Sequence, residues 1–390
     1  MNCTLIRRPW ALSWATCLLM LSVSAPCAVS QAGRELTGTL QGSVIGALTN
    51  IPLPFAVVSI PQLAIERFTD AGGRFTLAAL QAGRYEIVIR RIGYTPFRDS
   101  VRIVAGAVAR LDATLTQIPA QLVRTTVVAM TSCPRPGAPD RARDPIVADL
   151  VSLLRENADR YRLLVQQYPF SYRQVRAMGQ LGDAFLTLQS VDTTLSRGIA
   201  RVTYRPGRIV SLSSDSRRGK EYSMSLPTIL DLADDQFVRN HCFAYGGASD
   251  REGETWLRLD VRAADKIRSP DVHGSFYLDS ATSELRRMDL TMSRPDRLPK
   301  ALRGVSGVDV VTSFVNLASG LSVIDKVCGL NFPRRVGISA IRTIPAELQQ
   351  LLAYQFVEPP TGVRASGGVA PPAEWRVGAV LPRSVAWCAS

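Results

Sequence analysis

The sequence predicts an N-terminal all-β sandwich followed by an α+β domain with a curved antiparallel sheet. Three patterns indicate this fold: short alternating runs separated by turn residues over 37–117, one amphipathic helical pattern over 145–168, and strand patterns that dominate from 255 onward. The 390 residues are 46% hydrophobic and 20% charged, which is a globular composition with enough length for about two domains.

Residues 1–32 have the three parts of a secretory signal peptide. Arg7 and Arg8 form a positive start, an apolar run follows over 10–23, and small residues precede the expected cleavage point. Lipidation at Cys27 stays open as an alternative to simple cleavage. We therefore expect an exported protein that is periplasmic, associated with the outer membrane, or secreted.

The sandwich is predicted over residues 33–120. Apolar residues alternate with polar ones at Phe75 and Leu77, and again at Tyr85 and Ile87, which places each pair on one face of a strand. Turns separate the runs, because glycine tolerates positive φ and aspartate bonds its own backbone. Many short strands at regular spacing favour two packed sheets. The predicted strands cover 42–46, 55–60, 74–77, 85–90, 101–104 and 109–115.

Five motifs in this region occur in the order typical of the carboxypeptidase regulatory-like domain, and the region resembles that family. The resemblance implies a transthyretin-like Greek-key sandwich that is a non-catalytic accessory. The His-x-x-Glu zinc pair of carboxypeptidases is missing, since His241 is followed by Cys-Phe-Ala. The sequence departs from the family pattern over 50–54, where Asn-Ile-Pro-Leu-Pro replaces the usual Asp-Gly turn. The motif residues are Gly42, Gly46, Asp70, Gly73, Phe75, Gly83, Tyr85, Gly93 and Tyr94.

The C-terminal part begins after a linker predicted over 121–144, of which residues 131–144 are rich in proline and charge. The α+β domain is predicted over 145–360. Its helix is predicted over 145–168, where apolar residues recur at three- and four-residue steps after a proline suited to the first turn. Segment 346–356 is open between a short helix and the last strand. An irregular tail is predicted over 361–390.

Four cysteines remain after the predicted cleavage, and none has a metal-binding spacing. An even number in an oxidising compartment favours two disulfides, for which three pairings are open. We expect no metal and no cofactor. The four cysteines are Cys133, Cys242, Cys328 and Cys388.

The hairpin pattern over 274–286 resembles uncharacterised bacterial envelope proteins that carry the same N-terminal module. It is also similar to the half-barrels of periplasmic lipoprotein carriers. In the uncharacterised group a cysteine after the linker accompanies a His-Cys-Phe element, which is found at 241–243 in this chain. That resemblance implies a disulfide between Cys133 and Cys242. Similarity at the level of fold is weak evidence for function.

The charge pattern restricts the classes of partner. The formal net charge is +13, and arginine supplies nearly all of the positive charge because lysine occurs at only four positions. The arginines are scattered and aromatic residues are only 7%, so we expect no nucleic-acid partner. An anionic membrane surface stays open as a partner.

No group of residues identifies a reaction. Asp231, Asp234 and Asp235 precede His241, but their helical setting indicates a solvated turn rather than a metal site. The chain has no Gly-x-Ser-x-Gly nucleophile motif, and His273 is expected at the surface. We therefore expect no catalytic residues and no enzyme activity.

Two functions from different classes remain. The sequence favours a non-catalytic envelope protein that binds a glycan, peptide or protein through an exposed sheet edge or through sandwich loops, with Tyr94 as a contact. The alternative is a periplasmic carrier that encloses a lipophilic ligand between a half-barrel sheet and its helix. A hydrolase ranks behind both. The carrier cavity would be lined by Leu257, Leu259, Phe276 and Leu278, and a filled core there would favour the binding module.

Overall fold

A computed structural model describes the fold over residues 37–118, 130–198, 203–216, 219–251, 253–318, 320–333 and 343–388. The predicted signal peptide, including Cys27, lies outside the described residues, as does the first part of the linker. In the described ranges no helix is both long enough and apolar enough to cross a membrane.

The N-terminal part is a sandwich of two four-stranded sheets, which confirms the predicted fold class. Its strands are β1 Gly38–Gly46, β2 Val57–Ile60, β3 Ile65–Phe68, β4 Arg74–Leu80, β5 Gly83–Arg90, β6 Phe97–Ile103, β7 Val108–Arg110 and β8 Ala113–Leu115. One sheet has the order β4-β1-β7, with β8 also paired to β1, and the other has the order β3-β2-β5-β6. The predicted strand 109–115 is split into β7 and β8, because the Asp112 side chain accepts hydrogen bonds from Ser43 at the break.

The turn between β3 and β4 shows why its motif residues are needed. The Asp70 carboxylate accepts hydrogen bonds from the backbone amides of Gly72 and Arg74, at 2.9 and 2.8 Å. Gly73 has a φ of +71° and lies against the Val44 carbonyl, so any side chain there would be strained and would overlap the backbone. The sequence therefore fixes this turn locally.

The other motif residues support the sandwich core. Gly42 lies under the Leu111 carbonyl and the buried ring of Phe75, where a Cβ atom would overlap both. The Tyr85 hydroxyl donates to the Gln81 carbonyl at 3.1 Å. The remaining motif residues are Gly46 at the end of β1, Gly83 at the start of β5, and Gly93 with the half-buried Tyr94 in the turn after β5.

The C-terminal part is an eleven-stranded antiparallel sheet with one long helix, which confirms the predicted α+β class. Helix α1 is Pro145–Gln167, and the Asp144 side chain caps it by accepting from the Val147 amide at 3.2 Å. Helix α2 is Asp235–Arg239. The strands are β9 Phe170–Leu181, β10 Phe185–Arg197, β11 Val210–Ser216, β12 Gly219–Met224, β13 His241–Arg251, β14 Glu254–Ala263, β15 Asp271–Asp279, β16 Leu285–Ser293, β17 Val305–Ala318, β18 Leu321–Pro333, β19 Ile344–Phe356, β20 Ser366–Gly368 and β21 Val380–Pro382.

The order of the large sheet is β13-β14-β15-β16-β17-β18-β19-β9-β10-β21, with β20 on β19 and with β11 and β12 as a separate hairpin. Segment 346–356 is therefore a strand, and it lies in the middle of the sheet instead of at its end. It pairs with β18 on one side and with β9 on the other. The position of this strand in the sheet places residues 170–181 beside residues 344–356.

One face of the sheet, here called the helix face, carries α1. Residues that lie directly opposite each other on neighbouring antiparallel strands share a face. Along one such row the side chains change from fully buried at Leu259 and Phe276 to 45% exposed at Arg176. Helix α1 thus covers β14 to β17 and the buried start of β18, where Leu163 and Leu164 share a core with Leu321 and Val323, and this face becomes accessible from Val327 toward β10. The row is Leu259, Phe276, Met288, Thr312, Val327, Gln349, Arg176 and Asp192.

The opposite face of those last strands, here called the tail face, is covered by residues 361–388. Trp375, Leu381 and Ala386 pack against apolar side chains of β9, β10, β18 and β19. The tail was predicted to be irregular, and the structure corrects this, since β20 and β21 both extend the sheet. The reason is that its apolar residues cover a sheet face that water would otherwise contact.

The sandwich packs directly on the C-terminal domain. Phe55, Val57 and Phe68 share a core with Leu163 and Leu164 of α1. Ion pairs surround this core: Arg90 contacts Glu66 and Glu156 at 3.1 Å, and Arg162 contacts Glu66 at 2.9 Å. One edge of the sandwich is therefore buried against the C-terminal domain.

Candidate ligand pocket

A pocket of about 230 Å³ opens on the helix face, where α1 ends against β9, β18 and β19. This volume is below the roughly 300–1,000 Å³ that encloses a drug-sized ligand, so the pocket fits a small chemical group. The side chains that decide its chemistry are Tyr161, Phe170, Tyr172, Gln174, Asp325, Gln349 and Tyr354.

Aromatic rings form one side of the pocket. Tyr172 and Tyr354 lie directly opposite each other across the β9–β19 pairing. The ring of Phe170 is 6.2 Å from that of Tyr172, centre to centre, and is tilted by 44°. Tyr161 adds a phenol from α1, and burial raises the pKa of that phenol, so it stays neutral and can donate a hydrogen bond. Together the rings offer both π faces and hydroxyl groups.

Amides and one carboxylate form the polar side. The Gln174 side chain donates to Gln349 Oε1 at 2.7 Å, and Gln349 in turn donates to Glu347 Oε1 at 2.7 Å. Glu347 is held by two bonds from Arg176, at 2.6 and 2.8 Å. Burial raises the pKa of Asp325, and this carboxylate makes no hydrogen bond or ion pair with the described part of the chain. The amides are thus oriented, while Asp325 has no hydrogen-bond or ion-pair partner among the described residues.

The four residues expected to line a carrier cavity lie elsewhere. Leu259, Phe276 and Leu278 are fully buried in the core beneath α1, and Leu257 packs against that core. Helix side chains such as Leu154 fill the space that the carrier interpretation required. The structure therefore corrects the position of the cavity. Sequence patterns could not reveal the observed pocket, because β9 and β19 become neighbours only through long-range pairing.

Two disulfides join distant parts of the chain. Cys133 is bonded to Cys242 across 109 residues, which is the pairing that the resemblance implied. Cys328 is bonded to Cys388 across 60 residues and ties the tail to β18. Loops of this length correspond to about 4–5 kcal/mol of loop-closure entropy each in the unfolded chain. Structural disulfides persist in oxidising compartments, so the protein is extracytoplasmic.

The acidic cluster is structural, and one member differs from the prediction. Asp231 is fully buried instead of solvated. Its carboxylate accepts hydrogen bonds from the amides of Thr203, Tyr204 and Thr228, at 2.7–2.8 Å, and from the Thr228 hydroxyl. Asp234 caps α2, and Asp235 pairs with arginines at the surface. Asp231 is buried because its carboxylate satisfies these backbone amides.

The two histidines are also inside the fold. His241 is fully buried, stacks on Phe237 at 4.1 Å between ring centres, and has Nε2 3.6 Å from Asp271. Asp271 accepts from the Tyr204 hydroxyl at 2.8 Å. His273 was expected at the surface but is half-buried in β15, and burial lowers its pKa. Within the described ranges no group of three His, Cys, Asp or Glu side chains could hold a metal ion.

Residues 39–116 match the carboxypeptidase regulatory-like domain family. No curated protein matches the chain. Among solved structures, a DUF1329 family protein from Desulfovibrio piger is 9% identical, with 53% of this chain and 93% of that chain covered and a TM-score of 0.27. A LolA superfamily protein from Nitrosomonas europaea is 9% identical, with 57% and 94% covered and a TM-score of 0.25.

A minor pilin from Streptococcus agalactiae is 17% identical, with 23% of this chain covered and a TM-score of 0.20. This chain spans only 48% of the pilin's length. The family match covers the sandwich and ends before the linker. Residues 39–116 are therefore assigned to the carboxypeptidase regulatory-like domain family.

Proposed function

We propose that this protein is a non-catalytic binding protein of the bacterial cell envelope, located in the periplasm or at the outer membrane. Its site is the pocket on the helix face, which holds a small group carried by a glycan, a peptide or a protein. The observation that carries this proposal is that aromatic rings, oriented amides and one carboxylate without a partner in the described ranges meet at the end of α1. Such a mixture of apolar surface and a few fixed polar groups is typical of binding sites.

The position of the sandwich supports the choice of this pocket over the sandwich loops. One sandwich edge is buried against α1, and the half-buried Tyr94 packs against the sandwich core. The sandwich therefore braces the end of α1 that forms the pocket wall. We place the binding surface in the C-terminal domain for this reason.

The geometry gives less support to a carrier of lipophilic ligands. The residues that would line its cavity form a filled core, and the pocket that exists is small and partly polar. A ligand carrier needs an apolar volume that can exclude water from long alkyl chains. We therefore keep the binding protein as the single proposal.

Glycan and peptide arrays test the proposal directly. The mature chain would be compared with the double variant Tyr172→Ala, Tyr354→Ala and with the control Phe185→Ala, which removes an exposed aromatic ring outside the pocket. We expect the wild type and the control to bind the same array members and the double variant to lose them. Equal signals from all three proteins, or no signal from the wild type on any array, would contradict the proposal.

A further inference from the structure

Asp325 is the only carboxylate among the described residues that line the pocket. Glu347, on the same face, is neutralised by two hydrogen bonds from Arg176. Asp325 has no such partner within the described ranges, although it is half-buried. A partly desolvated carboxylate without a partner is unfavourable, because burial penalises the charged form. A cation in the pocket would remove this penalty.

The cation next to Asp325 in the sequence extends away from the pocket. Lys326 follows Asp325 on β18, at a register shift in the pairing with β17, and the pocket is lined by Asp325 but not by Lys326. Its Nζ lies 5.8 Å from the centre of the Trp387 ring on the tail face. Neither lysine nor arginine is present among the described residues that line the pocket. The pocket therefore has a carboxylate without a direct ion pair in the described part of the chain; the Lys326 charge lowers the pKa of Asp325, but burial, which raises that pKa, is the larger effect.

The aromatic side of the pocket favours the same kind of ligand. The face of an aromatic ring carries negative charge density, which attracts a cation within about 6 Å of the ring centre. Tyr172 and Tyr354 are cross-strand neighbours, Phe170 adjoins them, and Tyr161 closes the wall from α1. Rings of this kind accept an alkylated cation, because its methyl or methylene groups also gain from leaving water.

We propose that the pocket binds an organic ammonium group, with Asp325 as its counter-ion and with Tyr172, Tyr354, Phe170 and Tyr161 as the aromatic walls around it. This inference rests on the proposed function, because it names the ligand class of the same pocket. The group could be presented by a lipid head group, an amino sugar or a lysine side chain. The small volume admits the ammonium end and leaves the rest of the ligand outside.

Isothermal titration calorimetry of the mature chain tests the inference. Choline is compared with its uncharged carbon isostere, dimethylbutanol, while glucosamine and Nα-acetyl-lysine, which keeps its side-chain ammonium, represent the amino-sugar and lysine sources. We expect choline, or another of the ammonium probes, to bind about tenfold more tightly than the uncharged isostere. Measurable binding of choline that is no tighter than that of dimethylbutanol, or no binding of any ammonium probe, would overturn the inference.

Variants show whether Asp325 supplies the counter-charge. Asp325→Asn should weaken the ammonium probe by about tenfold or more, whereas Asp192→Asn, an exposed carboxylate on the same face, should leave it unchanged. If Asp325→Asn does not fold, Tyr172→Leu against Tyr172→Phe gives an independent comparison. If array ligands bind and no ammonium probe competes with them, this inference is wrong, whereas the proposed function is retained. If neither array ligands nor ammonium probes bind, the inference and the proposed function are both wrong.

Discussion

Asp325 and Lys326 are neighbours in sequence whose side chains lie on opposite faces of the sheet. Lys326 extends over the Trp387 ring on the tail face, and Asp325 lines the pocket on the helix face. The two charges thus make no direct ion pair, and the Lys326 charge lowers the pKa of Asp325 by less than burial raises it. The tail, held by the Cys328–Cys388 disulfide, supplies the ring that holds the lysine away.

Replacing Asp325 by asparagine should stabilise the fold while it weakens ammonium binding. Burial raises the pKa of Asp325 in the folded state above its unfolded value, so the folded protein binds more protons between these two values. The wild type therefore loses stability as pH rises through this window, and Asp325→Asn should not. Urea unfolding at acidic and neutral pH measures this. A variant that is less stable than the wild type at neutral pH would count against an unpaired carboxylate.

Asp231→Ala should destabilise the C-terminal domain strongly. The substitution leaves the buried amides of Thr203, Tyr204 and Thr228 without their acceptor, and we expect a loss of about 3 kcal/mol or more in the free energy of unfolding. The matched control is Asp235→Ala, which removes only exposed ion pairs and should cost about 0–1 kcal/mol. Similar losses in the two variants would show that Asp231 is solvated, as the sequence indicated.

Removing the second disulfide should release the tail. The double variant Cys328→Ser, Cys388→Ser should lose about 2–4 kcal/mol of stability and exchange amide hydrogens faster over 361–388. Hydrogen exchange with mass spectrometry measures the exchange rate over 361–388 in each variant. Cys133→Ser, Cys242→Ser is the control, because that bond lies at β13 and should not affect the tail. The same exchange over 361–388 in both variants would refute a tail held by Cys328.

The stability of the protein should depend on pH through His273. Burial lowers its pKa from the usual 6.5, and the nearby Arg262 lowers it further. His273 therefore contributes its full share to the free energy of unfolding above its pKa in the unfolded chain. This share is lost as pH falls through its pKa in the folded protein, because the unfolded chain binds a proton that the folded protein does not. His273→Gln should reduce this loss in thermal unfolding between neutral and mildly acidic pH. Identical pH profiles for the variant and the wild type would contradict a buried His273.

Local features of the fold could be predicted from the sequence, since their causes are local. The turn at Asp70 and Gly73 and the start of α1 at Pro145 depend on residues a few positions apart. The position of β19 depends on pairing with β9, about 180 residues earlier, and no short pattern encodes it. The pocket was missed for the same reason, because Tyr172 and Tyr354 meet only through that pairing. Asp231 was misjudged because its acceptor role involves amides from another segment.

The central claim is that the accessible half of the helix face is the binding site. Hydrogen–deuterium exchange of the mature chain, with and without choline at saturation, tests this claim most directly. The account predicts slower exchange in β9, β18 and β19, around Tyr172, Asp325 and Tyr354, and no change in the sandwich loops at 47–52 and 91–95. Slower exchange confined to those loops, with the three strands unchanged, would contradict it.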